Sequence, residues 1–226
     1  MKRVSVNLED DKLDLFLSLM NSLDFVKSTD MNTHRIFLDC GTHLCEGLND
    51  FISKGIVDSS FEIHTFEANP ACNILERIKE LPLPVITHQK AVWVKDGTIL
   101  FNQENHEKSL SGSPTDGQSS IDGWGSSVEG SGMLFHGYET QVEVESISFS
   151  DFIEKLPIDS YIICKMDIEG SEFTVLRDLI ENGTAERINE LYVEFHERYI
   201  PQENEETKNE IVSVLTSKGV KVHQWF

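Results

Sequence analysis

The sequence is short of basic residues. Lysine and arginine together number 19, against 39 aspartates and glutamates, and the formal charge is -20 at pH 7. A surface with such an excess of acid repels phosphate backbones and anionic lipid headgroups. We therefore expect neither nucleic acid nor a membrane among its partners, while the oligomeric state stays open.

Cysteine and long apolar runs are scarce too. The four cysteines occupy positions 40, 45, 72 and 164, without a CxxC pair or a spacing typical of a disulfide framework. No apolar run approaches the roughly 20 residues of a transmembrane helix, and the first residues lack the pattern of a signal peptide. Free thiols are typical of a reducing compartment, so we expect a cytoplasmic protein.

The chain length of 226 residues suits one α/β domain with a sizeable core. Residues 1–34 are predicted to form an N-terminal helix, over 11–26, and a linker; residues 35–226 form the main domain. There, segments of helical periodicity alternate with short apolar segments, which predicts a mostly parallel sheet covered by helices on both faces. The predicted strands of this sheet cover residues 35–41, 61–67, 85–94, 161–168, 188–196 and 220–226.

The alternation breaks over residues 97–149. Asp96-Gly97 is typical of a hairpin turn, and residues 98–103 and 141–149 have the patterns of strands. Residues 104–138 between them are rich in Gly, Ser and Asp, and a loop of that length in a compact domain is usually functional. We predict a β-hairpin excursion whose long loop contributes to binding an acceptor.

Polar residues follow four of the predicted strands at the point where each ends. The carboxyl ends of parallel strands meet at one edge of a sheet, and ligands bind there. The sequence therefore predicts a ligand crevice. The four segments are Asp39-Cys40-Gly41, Glu67-Ala68-Asn69, Asp167-Ile168-Glu169 and Glu194-Phe195-His196.

The first two of these segments indicate a nucleoside-containing cofactor. Gly41 would let the backbone come close to a ligand, and Glu67 could accept hydrogen bonds from two ribose hydroxyls. The GxGxxG pattern is absent, which counts against NAD and FAD. S-adenosylmethionine, a cationic cofactor without a pyrophosphate, fits better, and Asp39 would suit its positive charge. Helix capping and solvation are the structural alternatives for both carboxylates.

The residues then resemble a family, the FkbM-type methyltransferases, from about residue 35 to residue 222. The most specific stretch is the K-x-D-x-E-G-x-E run at 165–172, and IFLDCGTHLCEG, FEANP, KAVWVKDG and LYVEFH occur in the family's order. The resemblance implies a Rossmann-like class I fold and transfer of a methyl group from S-adenosylmethionine to a hydroxyl, often on a sugar.

The resemblance also implies roles for individual residues. Asp39, Gly41 and His43 would shape the methionine and ribose side of the cofactor. Glu67 would hold the ribose, and residues 89–91 would lie near the adenine. Trp124, Ser126 and Ser127, in a stretch similar to a serine-containing segment of the family, and Glu194 are predicted to bind the acceptor. The predicted cofactor-binding set is Asp39, Gly41, Thr42, His43, Cys45, Glu67, Ala68, Asn69, Gln89, Lys90 and Ala91.

Methyl transfer to a hydroxyl requires a group that accepts its proton. Strand alternation predicts Lys165, Asp167 and Glu169 on one face, and Glu194 and His196 likewise. The imidazole of His196 could act as a base at neutral pH, as could a carboxylate whose pKa burial raises. We predict Asp167, Glu169, His196 and Lys165 as the catalytic set. A divalent cation on these carboxylates and His196 is possible chemically but not favoured, because no tight metal motif is present.

Two departures from the family pattern leave other functions open. Cys45 stands where the family has its second glycine, and a side chain there would narrow the turn. The class I fold also has a further, antiparallel strand after the position of Phe226, so either the sheet is shorter or the sequence is a piece of a longer one. The alternatives are a non-catalytic descendant that binds a nucleoside or a glycan and, less favoured, a nucleotide-dependent oxidoreductase.

Overall fold

A computed structural model describes residues 33–104 and 138–225 of the chain. The helix predicted over residues 11–26 lies outside the described residues, as does nearly all of the loop predicted over 104–138. Trp124, Ser126 and Ser127, the acceptor-binding residues predicted in that loop, therefore stay predictions.

The described residues form strands and helices in alternation, as the periodicity predicts. The strands are β1 (Arg35–Cys40), β2 (Phe61–Phe66), β3 (Ile86–His88), β4 (Ala91–Trp93), β5 (Gly97–Glu104), β6 (Tyr138–Ser148), β7 (Tyr161–Met166), β8 (Glu190–Val193) and β9 (Lys221–Gln224). The α-helices are α1 (Glu46–Ser53), α2 (Ile74–Arg77), α3 (Phe149–Lys155), α4 (Glu172–Glu181) and α5 (Glu205–Ser217).

Six strands form the main sheet, in the order β3-β2-β1-β7-β8-β9, and every neighbouring pair in it is parallel. The central strand β1 is buried on both faces: Leu38 lies in one apolar cluster and Phe37 in another. Helices α3, α4 and α5 pack in the first cluster, and α1 packs in the second. The predicted α/β architecture, a Rossmann-like parallel sheet with helices on both faces, is confirmed.

The β excursion forms a second sheet, in the order β4-β6-β5. Strand β5 runs antiparallel to β6, as a hairpin excursion requires, whereas β4 runs parallel to β6. Two details of the prediction are wrong. The strand predicted over 85–94 divides between the two sheets, as β3 and β4. The Asp96-Gly97 turn does not pair β4 with β5, because β6 lies between them and the Asp96 carboxylate accepts a hydrogen bond from the Ser148 amide.

The segment after β2 is less regular than its periodicity predicts. Asn69 accepts a hydrogen bond from the Ala71 amide and caps a 3-10 turn, Pro70–Cys72. The chain then turns through Asn73, at φ 46°, into the four-residue α2. Leu75 in this helix is 54% exposed, so the segment buries only part of its apolar residues.

The structure can be compared with the expectations drawn from the few cysteines and the short apolar runs. All four cysteines are buried thiols outside any disulfide. The Sγ atoms of Cys40 and Cys164, on the adjacent strands β1 and β7, are 4.0 Å apart. Within residues 33–104 and 138–225, no helix is both long and apolar enough to cross a membrane.

Candidate active site

The parallel sheet brings the four predicted polar segments to one edge. Backbone hydrogen bonds continue past the strand ends, from the Gly41 amide to the Phe66 carbonyl, from Asp167 to Cys40, and from Glu194 to Met166. The segments after β1, β2, β7 and β8 are therefore neighbours at the carboxyl edge, where the sequence places the crevice.

Gly41 is needed for the contact between two of these segments. Its φ is 77°, and a Cβ atom at this position would lie 1.7 Å from the carbonyl oxygen of Asp167. Contact with a backbone atom cannot be relieved by moving a side chain. The glycine therefore permits the close approach of the β1 turn to the end of β7, and not only the approach of a ligand that the sequence suggested.

Lys165 links the same two segments through its buried ammonium group. The side chain is 4% exposed, and Nζ donates a hydrogen bond of 2.8 Å to the Gly41 carbonyl. Nζ also lies 3.5 Å from Asp39 Oδ1 and 3.5 Å from Asp167 Oδ2. Burial acts to lower the pKa of Lys165, but the two carboxylates raise it above its ordinary value. Lys165 is therefore a cation that holds two carboxylates in place.

Asp39 is fully buried at the carboxyl end of β1. In the part of the chain that the structure describes, neither carboxylate oxygen has a hydrogen-bond partner, because the hydroxyl of Thr42 donates to the Asp39 backbone carbonyl instead. Burial raises the pKa of Asp39 to about 6, against the opposing effect of Lys165. A ligand that brings a hydrogen-bond donor or a positive charge would stabilise this carboxylate.

Glu67 is buried at the end of β2 and joins two turns of the crevice. Its Oε2 accepts a 2.7 Å hydrogen bond from the His43 amide, and its Oε1 accepts one of 2.7 Å from the Asn69 amide. Burial raises the pKa of Glu67, and these amide donors oppose the rise. Each oxygen keeps a further lone pair, so the carboxylate can also accept a hydrogen bond from a ligand.

The other residues predicted to bind the cofactor lie along the same edge. Cys45 has φ 69° and is buried, so a cysteine occupies the left-handed conformation that glycine adopts most readily. His43 Nδ1 lies 3.0 Å from Glu46 Oε1. Lys90 forms an ion pair of 2.9 Å with Glu145 of β6. Ala91 is buried, Ala68 is half-buried and Gln89 is exposed.

The strand that leads into the K-x-D-x-E-G-x-E run ends earlier than its predicted end at residue 168. Strand β7 ends at Met166, and the following residues form a turn in which Glu169 has φ 56° and Gly170 has φ 101°. Strand alternation therefore does not extend to Glu169, contrary to our prediction. The turn nevertheless brings the carboxylates of Asp167 and Glu169 to the same side chain, His196.

Glu172, which the sequence analysis did not single out, shapes this turn. Its fully buried carboxylate accepts hydrogen bonds from the Ile168 amide, at 2.8 Å, and from the Gly170 amide, at 2.9 Å. Ser171, at the N-cap position of α4, makes no side-chain capping hydrogen bond. The last glutamate of the run was the signal for this role, since an acidic side chain in the first turn of a helix often binds free amides.

His196 lies in the centre of a group of carboxylates. Its Nδ1 is 3.1 Å from Glu172 Oε1, and its Nε2 is 3.3 Å from Glu169 Oε2, 3.9 Å from Asp167 Oδ1 and 3.8 Å from Glu194 Oε1. Burial acts to lower the pKa of His196, but Glu172 and the other carboxylates raise it well above its ordinary value. These carboxylates favour the charged form of the imidazole, and the role of His196 as the base stays a prediction.

Glu194, predicted to bind the acceptor, is half-buried beside this group. Burial and the nearby Asp167 raise the pKa of its carboxyl, against the effect of His196. Three side chains of the group, Asp167, Glu169 and His196, each offer an atom that could bind a metal ion, and these atoms all lie within 4.8 Å of one another.

A family profile described as "Methyltransferase FkbM domain" matches residues 39–222, which include the whole of this edge. No curated protein and no solved structure matches the chain.

Proposed function

The chain belongs to the FkbM methyltransferase family, and from that premise we propose that it transfers a methyl group from S-adenosylmethionine to a hydroxyl of a sugar or glycan. The main support for the proposal is that buried carboxylates and half-exposed carboxylates lie side by side at one edge of the sheet. Asp39 and Glu67 are buried on the side of β1 and β2, whereas Asp167 and Glu194 are half-exposed on the side of β7 and β8.

The buried carboxylates fit the proposed cofactor. Asp39 lacks a hydrogen-bond partner among the described residues, and the cofactor carries an ammonium group and a sulfonium. Glu67 is held rigidly by two amides and keeps lone pairs for the ribose hydroxyls. When bound, the cofactor would supply an electrophilic methyl group. The electron pair of the bond between this methyl group and sulfur would stay on sulfur when the acceptor oxygen takes the methyl group.

The half-exposed carboxylates fit a neutral acceptor with several hydroxyls. Carboxylate oxygens only accept hydrogen bonds, so they suit hydroxyl donors and repel anionic acceptors. The attacking hydroxyl must lose its proton to a positioned base. Asp167 and Glu194 lie beside His196 with half-exposed carboxylates, so the proton of the attacking hydroxyl passes to a carboxylate oxygen of one of them. A screen of acceptors tests whether the methylated oxygen is a sugar hydroxyl.

Glu67→Ala is expected to weaken S-adenosylhomocysteine binding. Loss of a charged acceptor for the ribose costs about 1.5–3 kcal/mol, which corresponds to a rise in Kd of about 10- to 150-fold. Isothermal titration calorimetry measures this Kd, with NAD as the control ligand. Glu76→Ala, at an exposed position of α2, is the matched control and should bind as the wild type does.

Glu67→Ala also removes the acceptor of the His43 and Asn69 amides, so its melting midpoint must be measured alongside. Unchanged affinity in a folded Glu67→Ala protein would exclude Glu67 from the ribose site. Binding of S-adenosylhomocysteine without turnover on any acceptor would favour the non-catalytic descendant, and preference for NAD would favour the oxidoreductase.

We also propose a cytoplasmic location and a small-molecule or glycan partner. The four free, buried thiols support a reducing compartment. The formal charge of -20 supports an acceptor other than nucleic acid or an anionic membrane surface.

A further inference from the structure

Asp167, Glu169 and His196 have the spacing of ligands around one metal ion. Nε2 of His196 lies 3.3 Å from Glu169 Oε2 and 3.9 Å from Asp167 Oδ1, and the three ligand atoms lie within 4.8 Å of one another. Donor atoms at about 2.1 Å from an octahedral ion are about 3 Å apart when adjacent and about 4.2 Å apart when opposite. Both distances from His196 Nε2 lie within this range, so small movements of the side chains bring two carboxylates and one imidazole to one ion.

A residue outside these three orients the histidine. The buried Glu172 lies 3.1 Å from His196 Nδ1, and two backbone amides fix its carboxylate in place. With Nδ1 facing Glu172, Nε2 faces Asp167 and Glu169. A carboxylate that binds the remote nitrogen of a histidine is the usual outer partner of a metal-bound imidazole, because it sets the tautomer and the ring direction.

The balance of charge also favours a cation. Four carboxylates, those of Asp167, Glu169, Glu172 and Glu194, lie within 4 Å of the one imidazole of His196. Carboxylates this close together repel one another, and a bound cation reduces that repulsion.

We propose that Asp167, Glu169 and His196 bind a divalent cation of the Mg²⁺ or Mn²⁺ class, with Glu172 as the positioning residue. Metal binding requires Nε2 of His196 without a proton, so a proton on this atom would be released to solvent as the cation binds. Oxygen-rich sites with one imidazole suit these ions.

The role of this cation rests on the proposed function, whereas its binding does not. An acceptor hydroxyl on the cation becomes more acidic. Its proton would pass to Glu194, which lies beside the cluster. Its oxygen would form the bond to the methyl carbon while the bond from that carbon to sulfur breaks and its electron pair stays on sulfur. Asp167 and Glu169 are ligands in this arrangement and do not act as bases.

Titration of the full chain with Mn²⁺, followed through the electron paramagnetic resonance signal of the free ion, tests the site with and without S-adenosylhomocysteine. We expect the wild type to bind one Mn²⁺ ion per chain far more tightly than it binds any further Mn²⁺ ion. Glu169→Gln, which keeps the size of the side chain, should weaken that binding by at least tenfold. Glu172→Gln should weaken it by about 10- to 100-fold through the histidine, in protein whose circular dichroism spectrum matches that of the wild type.

Asp50→Asn is the matched control, because Asp50 is 31% exposed and lies outside the site, while Asp167 and Glu169 are 26% and 27% exposed. Equal Mn²⁺ binding by the wild type, Glu169→Gln and Asp50→Asn would show that the ion binds the acidic surface without preference. This result would overturn the proposed site. Absence of tight binding in the wild type would do the same.

Methyl transfer separates the cation from the proposed function. Turnover that stops with a chelator and returns with Mg²⁺ supports the cation's role. Turnover that continues after the chelator has removed the Mn²⁺ signal overturns that role and leaves the methyltransferase intact. Tight Mn²⁺ binding that Glu169→Gln weakens, without turnover on any acceptor, supports the site and counts against the proposed function.

Discussion

Lys165→Met is expected to lower the free energy of unfolding by about 3–5 kcal/mol, the usual cost of removing one partner from a buried ion pair. Methionine fills much of the space of the lysine chain but removes the ammonium group. Asp39, fully buried, then has no cation, Asp167 loses one, and the Gly41 carbonyl loses its hydrogen-bond donor. The cost therefore comes from uncompensated polar groups and not from a cavity.

Urea unfolding followed by circular dichroism measures this change. Lys79→Met is the control, because Lys79 is 65% exposed and its ion pair with Glu76 contributes at most about 1 kcal/mol. Adding Asp39→Asn to Lys165→Met should restore part of the loss, since one of the two carboxylates is then neutral. Equal effects of Lys165→Met and Lys79→Met would show that the buried ammonium is not what holds β1 and β7 together.

Asp167→Asn is expected to lower turnover by about 10²- to 10⁴-fold while the fold and the affinity for S-adenosylhomocysteine are kept. A lost catalytic base has an effect of this size, and loss of a carboxylate ligand would also disable a cation site. Asparagine keeps the shape of the side chain, so the turn after β7 should persist. Turnover with saturating acceptor is the measurement, and Asp50→Asn is the control.

Asp167 is a better test position than His196. His196→Ala would leave the buried Glu172 carboxylate without its imidazole partner, so lost activity could follow from lost structure. Wild-type turnover by a folded Asp167→Asn protein would remove Asp167 from the reaction, whether as base or as ligand.

Much of the fold was predictable because the central strands are buried on both faces. Residues 35–41 and 161–168 are nearly continuous apolar runs, and such runs are typical of parallel strands covered by helices. The division of residues 85–94 between two sheets was not predictable, because both halves have the same strand pattern. The Asp96-Gly97 turn misled for a similar reason: its partner strand, β6, comes about forty residues later in the chain.

The location of the site was predictable, but its electrostatics were not. Polar residues at the ends of apolar strands, such as Asp39 and Asp167, indicate the carboxyl edge without any contact being known. The raised pKa of His196 depends on carboxylates from two separate segments, and only the folded chain shows that Glu172 faces its Nδ1 atom. Strand alternation also could not reveal the turn at Glu169, because a positive φ there has no signal beyond the glycine that follows.

Transfer of a deuterated methyl group from S-adenosylmethionine to a panel of sugars and glycans, read by mass spectrometry, tests the central claim most directly. We expect the wild type to form a methylated acceptor and an equal amount of S-adenosylhomocysteine, and Asp167→Asn to form both at least about 100-fold more slowly. A wild-type protein that binds S-adenosylhomocysteine but methylates no hydroxyl in the panel, or an Asp167→Asn protein that methylates as fast as the wild type, would contradict it.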